Sequence, residues 1–362
     1  MKNIKIAFIF PKNSSAIFDN KSKETFGGAT IQIFLLAKEF RYYNSIDVSC
    51  LVVGSGRKDG EEINGLKVYN TFGKDDNLFT KIIKFHKAIY KVKPDIIVQH
   101  GLTIFSCLLA VYCKVFNIKL VYMFASDVEA EGYYQTNHKK APLFKLLISY
   151  ADILITQNQY QHDKILCSCN RKTDILYNGF PIEKSFGDMK EFILWVGRAE
   201  KLKQPEKFIQ IASSNNSYRF VMICNKVVGQ ENYFSYIEQL GKKLKNLEFV
   251  QFVPFNEIDI YFKKAKLLIN TSSYEGFPQS FIQASMNKVP IISLNANPDN
   301  FITKYVCGVY CGNNENMMNS SLLELMADSF KFDLLSENAY QYAKEKHDIK
   351  KNTKKLYDII RS

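Results

Sequence analysis

Short apolar runs recur along the chain, spaced widely enough for a helix between successive runs. In the first half they predict strands at 4–10, 47–53, 95–99, 119–125 and 152–156. Helical periodicity predicts helices at about 28–43, 79–92, 103–116 and 141–150. Strands separated by crossover helices form parallel sheets covered on both faces. The rhythm breaks at "YNGFPIEKSFGDMKEF", where Asn-Gly, Pro and charges stand without a periodic apolar face, as in a linker. It resumes with strands at 192–198, 219–224, 248–252, 266–270 and 289–294. Helices are predicted there at about 204–214, 231–245, 256–264, 278–287 and 320–328, with one long Lys-rich helix at 336–359. The fold class expected is α/β, with two Rossmann-like domains whose parallel sheets face a central cleft. The expected boundaries are 1–180 for the first domain, 181–190 for the linker and 191–335 for the second domain. Residues 336–362 are expected to pack back toward the first domain.

Composition changes this picture little. The chain has 362 residues, 46% hydrophobic and 23% charged, which is ordinary for two globular domains. Its net charge is +12. The first 185 residues carry 25 lysines and arginines against 17 acids, and the remainder 23 against 19. Such a surface suits nucleic acid, anionic lipid or phosphorylated small molecules, and equally plain solvation. The longest apolar run, Leu102 to Cys113, is too short to span a bilayer. No secretory leader is read at the start, where Lys5 interrupts "MKNIKIAFIF" and Pro11 follows. Eight cysteines without CxxC pairs read as reduced, mostly buried thiols of a cytosolic protein.

The densest chemistry lies in "SSYEGFPQSFIQA", residues 272–284, between two apolar runs. A helix expected to start near Pro278 offers free N–H groups and the positive end of a dipole. Gly276 lets a ligand approach the backbone, and Glu275 beside it can accept hydroxyl hydrogen bonds. A second stretch, "LWVGRAEKLKQPEKF", sets Gly197 and Arg198 at a strand end, with Lys203 before the next helix. Arg198 can grip a diphosphate in bidentate fashion and Lys203 adds a point charge. Each feature alone also fits an ordinary helix start or a surface cation.

Together these segments resemble glycosyltransferase family 4, the group 1 transferases of GT-B fold. "WVGRAEKLKQPEKFIQIA" and "AKLLINTSSYEGFPQSFIQASMNKVPIISLN" carry the likeness most strongly. "FGGATIQIFLLAKEF", "ADILITQNQYQ" and "LYNGF" extend it over nearly the whole chain. The resemblance implies that Arg198 and Lys203 bind the donor diphosphate. Glu275 would hold sugar hydroxyls, with the backbones of Gly276 and Phe277 near the phosphates. Gln283 falls where the family usually has a second glutamate that holds the ribose. An amide there loses charge-assisted bonds, worth roughly 1 kcal/mol. Gln204 replaces the glycine usual after the lysine. Gly27 and Gly28 would bring N–H groups toward donor or acceptor, or serve only as a helix cap. Asp127 in "MFASDVEAEG" would contact sugar or acceptor, or stand as an exposed loop carboxylate, where many members carry a nearby His. His100 is a structural histidine or a substrate contact.

The implied reaction moves a sugar from a nucleoside diphosphate, a UDP-sugar in the first instance, to an acceptor hydroxyl with retention of configuration. The implied acceptor is a glycan or a lipid-linked acceptor in cell-surface polysaccharide synthesis. No cofactor and no metal are expected beyond the nucleotide-sugar donor, since Arg198 and Lys203 can neutralise phosphate. Asp127-Val-Glu129 is read as a chance acidic pair. "VVGSGRKDG" is read as a hairpin region before Asn64-Gly65, not a dinucleotide loop. The helix at 79–92 sets Lys81, Lys84, Lys87 and Lys91 on one side, with Phe79, Ile82, Ile83, Ile89 and Tyr90 largely on another. That fits a solvated face or docking on anionic lipid, and peripheral membrane association of a cytoplasmic protein is the expectation. The alternatives are a catalytically silent nucleotide-sugar binder and a nucleic-acid-binding protein. The latter is disfavoured because no interleaved basic and aromatic module is visible.

Overall fold

The computed structural model describes residues 3–11, 14–19, 26–54, 56–73, 75–131, 141–182 and 190–362. Most of the linker expected at 181–190 lies outside the described residues. The chain forms two compact units, Met1–Gly179 with Ile349–Ser362, and Phe180–Asp348.

The first unit is built on eight strands: β1 (Ile4–Phe10), β2 (Ile46–Val52), β3 (Glu61–Ile63), β4 (Leu66–Asn70), β5 (Ile96–His100), β6 (Lys119–Met123), β7 (Ile153–Thr156) and β8 (Asp174–Ile175). Their order across the sheet is β3-β4-β2-β1-β5-β6-β7-β8. In β1 every residue from Ile6 to Phe10 is buried, as a central parallel strand covered on both faces requires. Among the described residues only β3 and β4 pair antiparallel. Asn64 and Gly65 turn between them with φ of 52° and 76°, the left-handed pair a two-residue hairpin needs. The hairpin reading of this stretch therefore holds.

Helices α1 (Gly28–Phe40), α2 (Leu78–Val92) and α3 (Ile104–Val115) flank the sheet. The expected helix at 28–43 stops at Phe40. The last helix, Ile349–Arg361, packs on this unit as well. Asn352 Nδ2 donates to Tyr177 O at 2.8 Å, and Lys355 Nζ to Ile175 O at 2.7 Å. A Cβ at Gly179 would sit 2.9 Å from the Ile349 Cα, so only glycine permits this approach.

The second unit holds β9 (Phe192–Arg198), β10 (Phe220–Asn225), β11 (Leu247–Val250), β12 (Ala265–Asn270), β13 (Ile291–Ser293) and β14 (Gly308–Tyr310). They run parallel in the order β11-β10-β9-β12-β13-β14. One face buries Trp195, Phe208, Phe220 and Leu267, and the other Leu194, Phe281, Ile291 and Phe301. The continuous helix expected at 336–359 is instead two helices, Ser329–Lys346 and Ile349–Arg361. The break has a cause. His347 O accepts from Phe180 N at 2.8 Å, and its buried ring packs on Phe277 and Tyr342, with centroids 4.9 and 5.1 Å away.

Among the described residues no helix is long and apolar enough to cross a membrane. Six of the eight cysteines are buried.

Candidate active site

The second unit gathers charge where β9 and β12 end. Gly197 is glycine because a Cβ there would lie 2.6 Å from the Trp195 ring. Trp195 Nε1 donates to Thr271 Oγ1 at 2.9 Å, and that hydroxyl donates to Lys203 O at 2.7 Å. Ser273 N donates to Leu202 O at 2.9 Å. These bonds fasten the 3-10 turn Lys201–Lys203 to the loop after β12.

The result is an ion pair between Lys203 Nζ and Glu275 Oε1, with side chains only 19% and 12% exposed. Ser272 Oγ donates to the same carboxylate oxygen at 2.7 Å. Two residues 72 positions apart in the chain are thus joined by the turn geometry. Arg198 takes another course. Its side chain is 52% exposed, and its Nη2 lies 3.2 Å from Glu200 Oε1.

Pro278 is the N-cap of helix Gln279–Met286 and not its first residue, and no side chain caps this end. Phe277 packs on the rings of Phe301 and His347, 5.2 and 4.9 Å away. Gln283 is buried within the helix, and its carbonyl accepts from Asn287 Nδ2 at 2.9 Å. Gln204 adopts a left-handed φ of 46°, which explains why glycine would suit the position. Its Oε1 is buried without a hydrogen-bond partner among the described residues, and so is Asn225 Oδ1. Asn225 pairs in register with Arg198, at the same end of the sheet. A cavity of about 650 Å³ opens beside the Glu200–Leu202 turn, walled on its other side by Gly229 to Tyr233. Thr271, Ser272 and Asn225 were not singled out from sequence. The only signal for them was their place at strand ends.

The first unit treats its candidates differently. Gly27 is the N-cap of α1, with nothing within 4 Å of where a Cβ would stand, and Gly28 is the first helical residue. Asp127 is not an exposed loop carboxylate. It is buried in the short helix Asp127–Ala130, where Oδ1 accepts from Asn158 Nδ2 at 3.1 Å and Gln161 Nε2 at 2.8 Å. Glu129 binds a separate set: Tyr122 Oη at 2.8 Å, Ala125 N at 3.1 Å and Leu102 N at 3.3 Å. Burial raises its pKa to about 6, against these hydrogen bonds. The two carboxylates therefore do not act as a pair. Among the described residues no group of three or more His, Cys, Asp or Glu is placed to hold a metal ion.

His100 is buried with Nε2 3.1 Å from Phe124 O and Nδ1 3.3 Å from Ala29 O. Burial lowers its pKa to about 4. The structure gives it the structural role among the two readings.

Two parallel-sheet α/β units of this kind define the GT-B glycosyltransferase fold. Solved structures of that fold superimpose on nearly the whole chain. Sucrose-phosphate synthase from Thermosynechococcus elongatus matches with a TM-score of 0.77 at 15% identity, over 99% of this chain and 98% of its own. HepE of Anabaena in complex with UDP-glucose matches with a TM-score of 0.74 at 16% identity, over 99% and 100%. The lipopolysaccharide outer core galactosyltransferase WaaB, in its apo form, matches with a TM-score of 0.62 at 17% identity, over 99% of each chain. No curated protein is detectably similar in sequence. Residues 181–354 match the family "Glycosyl transferases group 1".

Proposed function

We propose that the protein is a retaining, metal-independent hexosyltransferase that takes its sugar from a UDP-sugar. The acceptor is a hydroxyl of a glycan or lipid-linked acceptor in cell-surface polysaccharide synthesis. The protein works on the cytoplasmic side and associates peripherally with an anionic membrane. The family match supports sugar transfer, and the UDP-glucose bound by the similar HepE supports the donor.

The observation that carries the reading is the Lys203–Glu275 pair beside the N-terminus of helix Gln279–Met286. Without a donor the two charges neutralise each other. A diphosphate competes for Lys203, and Glu275 is then released to accept hydroxyl hydrogens of the sugar. Arg198, half exposed and tied only to Glu200 among the described residues, is free to swing onto the diphosphate. Cations and helix N–H groups held in place before the reaction stabilise charge building on the departing diphosphate. A phosphate oxygen can take the acceptor's proton, so no separate base is demanded. Gly27, with open space before it, and Gly28 would offer backbone N–H groups to donor or acceptor. Asp127 acts at a distance by holding Asn158 and Gln161.

Slow hydrolysis of a panel of sugar nucleotides tests this reading directly. Turnover of one UDP-sugar is expected, and failure of every UDP-sugar in the panel contradicts the donor assignment. Gln283 favours one second reading, a nucleotide-sugar binder without turnover, because a buried amide replaces the family's usual carboxylate. UDP binding with no hydrolysis and no transfer would select it.

A further inference from the structure

A cationic cavity lies in the first unit, far along the chain from the donor residues. It has a volume of about 340 Å³ and is lined by Arg57, Lys84, Lys87 and Lys91, with Asp59 and Thr71 among the rest. Four cations therefore face one carboxylate. Lys91 Nζ pairs with Asp59 Oδ2 at 2.5 Å, Lys84 Nζ with Asp76 Oδ2 at 2.8 Å, and Arg57 Nη1 with Glu61 Oε1 at 3.2 Å. Lys87 is exposed and makes no ion pair or hydrogen bond among the described residues. An anion entering here meets one uncommitted ammonium and three more cations whose partners hold them near the opening.

The same helix carries an unusual load of exposed apolar side chains. Core contacts use Phe85, Ala88, Ile89 and Val92 of α2. The lysines that line the cavity occupy one flank of the helix. Phe79, Ile82, Ile83 and Tyr90 occupy the outward side, with Phe79 73% and Tyr90 69% exposed. Exposed Phe116, just beyond α3, joins this surface by packing on His86 with ring centroids 5.4 Å apart. A soluble phosphate ligand would need the cations alone. Apolar groups adjoining a cationic pocket match a surface that is itself anionic at one depth and apolar just beneath.

We propose that this cavity binds the phosphate of an anionic lipid headgroup while the outward face of α2 enters the bilayer interface. This gives chemistry and residues to the membrane association proposed above, and it uses none of the donor-site residues. Lys87 makes the direct phosphate contact, with Arg57, Lys84 and Lys91 supporting it. Phe79 and Ile83 supply the apolar anchor.

The test is flotation of the full chain with vesicles of phosphatidylcholine alone and of phosphatidylcholine mixed with phosphatidylglycerol. The protein is expected to float only with the mixed vesicles, and less as salt screens the attraction. Lys87→Glu is expected to weaken binding on the order of tenfold. The double variant Phe79→Ser, Ile83→Ser is expected to weaken it as well. All three side chains are exposed, so an unchanged melting temperature verifies that each variant folds. Flotation untouched by Lys87→Glu, or equal on neutral vesicles, overturns the proposal. Loss with Lys87→Glu alone, together with equally tight binding of free glycerol 3-phosphate, assigns a soluble ligand and overturns the lipid. UDP calorimetry on the same proteins keeps the two proposals apart. UDP affinity is expected to be the same in all of them, and its absence with flotation intact strikes only the transferase reading.

Discussion

At the end of β5 in the first unit, His100 is buried, its ring nitrogens set among backbone carbonyls and the Gln157 amide. Nearby Asp127 and Glu129 are each held by several donors. At the end of β9 in the second unit, Arg198 stands half exposed, and Lys203 and Glu275 meet in a pair that water can still reach. Gln204 and Asn225 there leave side-chain carbonyl oxygens without partners among the described residues. Both regions are strand ends of parallel sheets, where ligands usually bind. One has spent its polar groups on its own side chains and backbone. The other keeps charges that can be exchanged. Partner exchange, not the number of polar residues, separates a scaffold from a site.

Glu275→Ala should break the comparison most visibly. Transfer is expected to fall roughly a hundredfold, the scale seen when one preorganised polar contact is removed. Bare UDP should bind no more weakly, because Lys203 loses its competitor. Equal loss of UDP affinity and turnover would contradict a sugar contact. Arg198→Ala comes next, with about a tenfold loss of UDP affinity by calorimetry, near 1.4 kcal/mol. Its melting temperature should stay put, since an exposed pair with Glu200 contributes little to stability.

The first unit should answer to pH instead. The pKa of His100 is near 4 in the fold against 6.5 unfolded, so the unfolded chain takes the proton first. Stability is lost as pH falls from 6.5 toward 4. Glu129 opposes this, with about 6 folded against 4.5 unfolded, and adds stability as pH falls from 6 to 4.5. The larger shift belongs to His100, so a net loss is expected in melting scans across this range. His100→Gln should flatten that loss, and an unchanged acid limb would refute the assignment.

Smaller effects belong to the two glutamines of the second unit. Gln283→Glu should tighten the donor by about fivefold, near 1 kcal/mol, if the buried amide stands where a ribose is held. No gain, or a loss, would remove Gln283 from the site. Gln204→Gly should relieve a left-handed backbone worth about 1 kcal/mol and raise the melting temperature by a few degrees. A lower melting temperature would show that the side chain contributes more than the strain costs.

The strands were legible because parallel strands buried on both faces read as unbroken apolar runs, as "IKIAFIF" and "FILWVGR" do. Helix Gln159–Cys169 was not, because it buries only Gln161 and Ile165 and so shows little periodicity. Strands β8 and β14 have two and three residues, too few for a pattern. The break after Lys346 depends on His347 bonding to Phe180, a contact between distant segments. At the site, Arg198, Lys203 and Glu275 could be picked out as candidates from their places at strand and helix ends, and Gln283 only from the family resemblance. The Lys203–Glu275 pair could not, because it hangs on Thr271 bridging Trp195 and the Lys203 carbonyl. Burial of Asp127 was equally hidden, since its amide partners lie about thirty residues on.

Calorimetric titration of UDP into the unsubstituted protein and into Lys203→Ala tests the central claim most directly. If Lys203 is the exchangeable cation of a diphosphate site, the variant binds UDP about tenfold more weakly, a loss of near 1.4 kcal/mol. Equal affinity in the two proteins would mean that the lysine serves only to neutralise Glu275, and the donor site would have to be sought elsewhere.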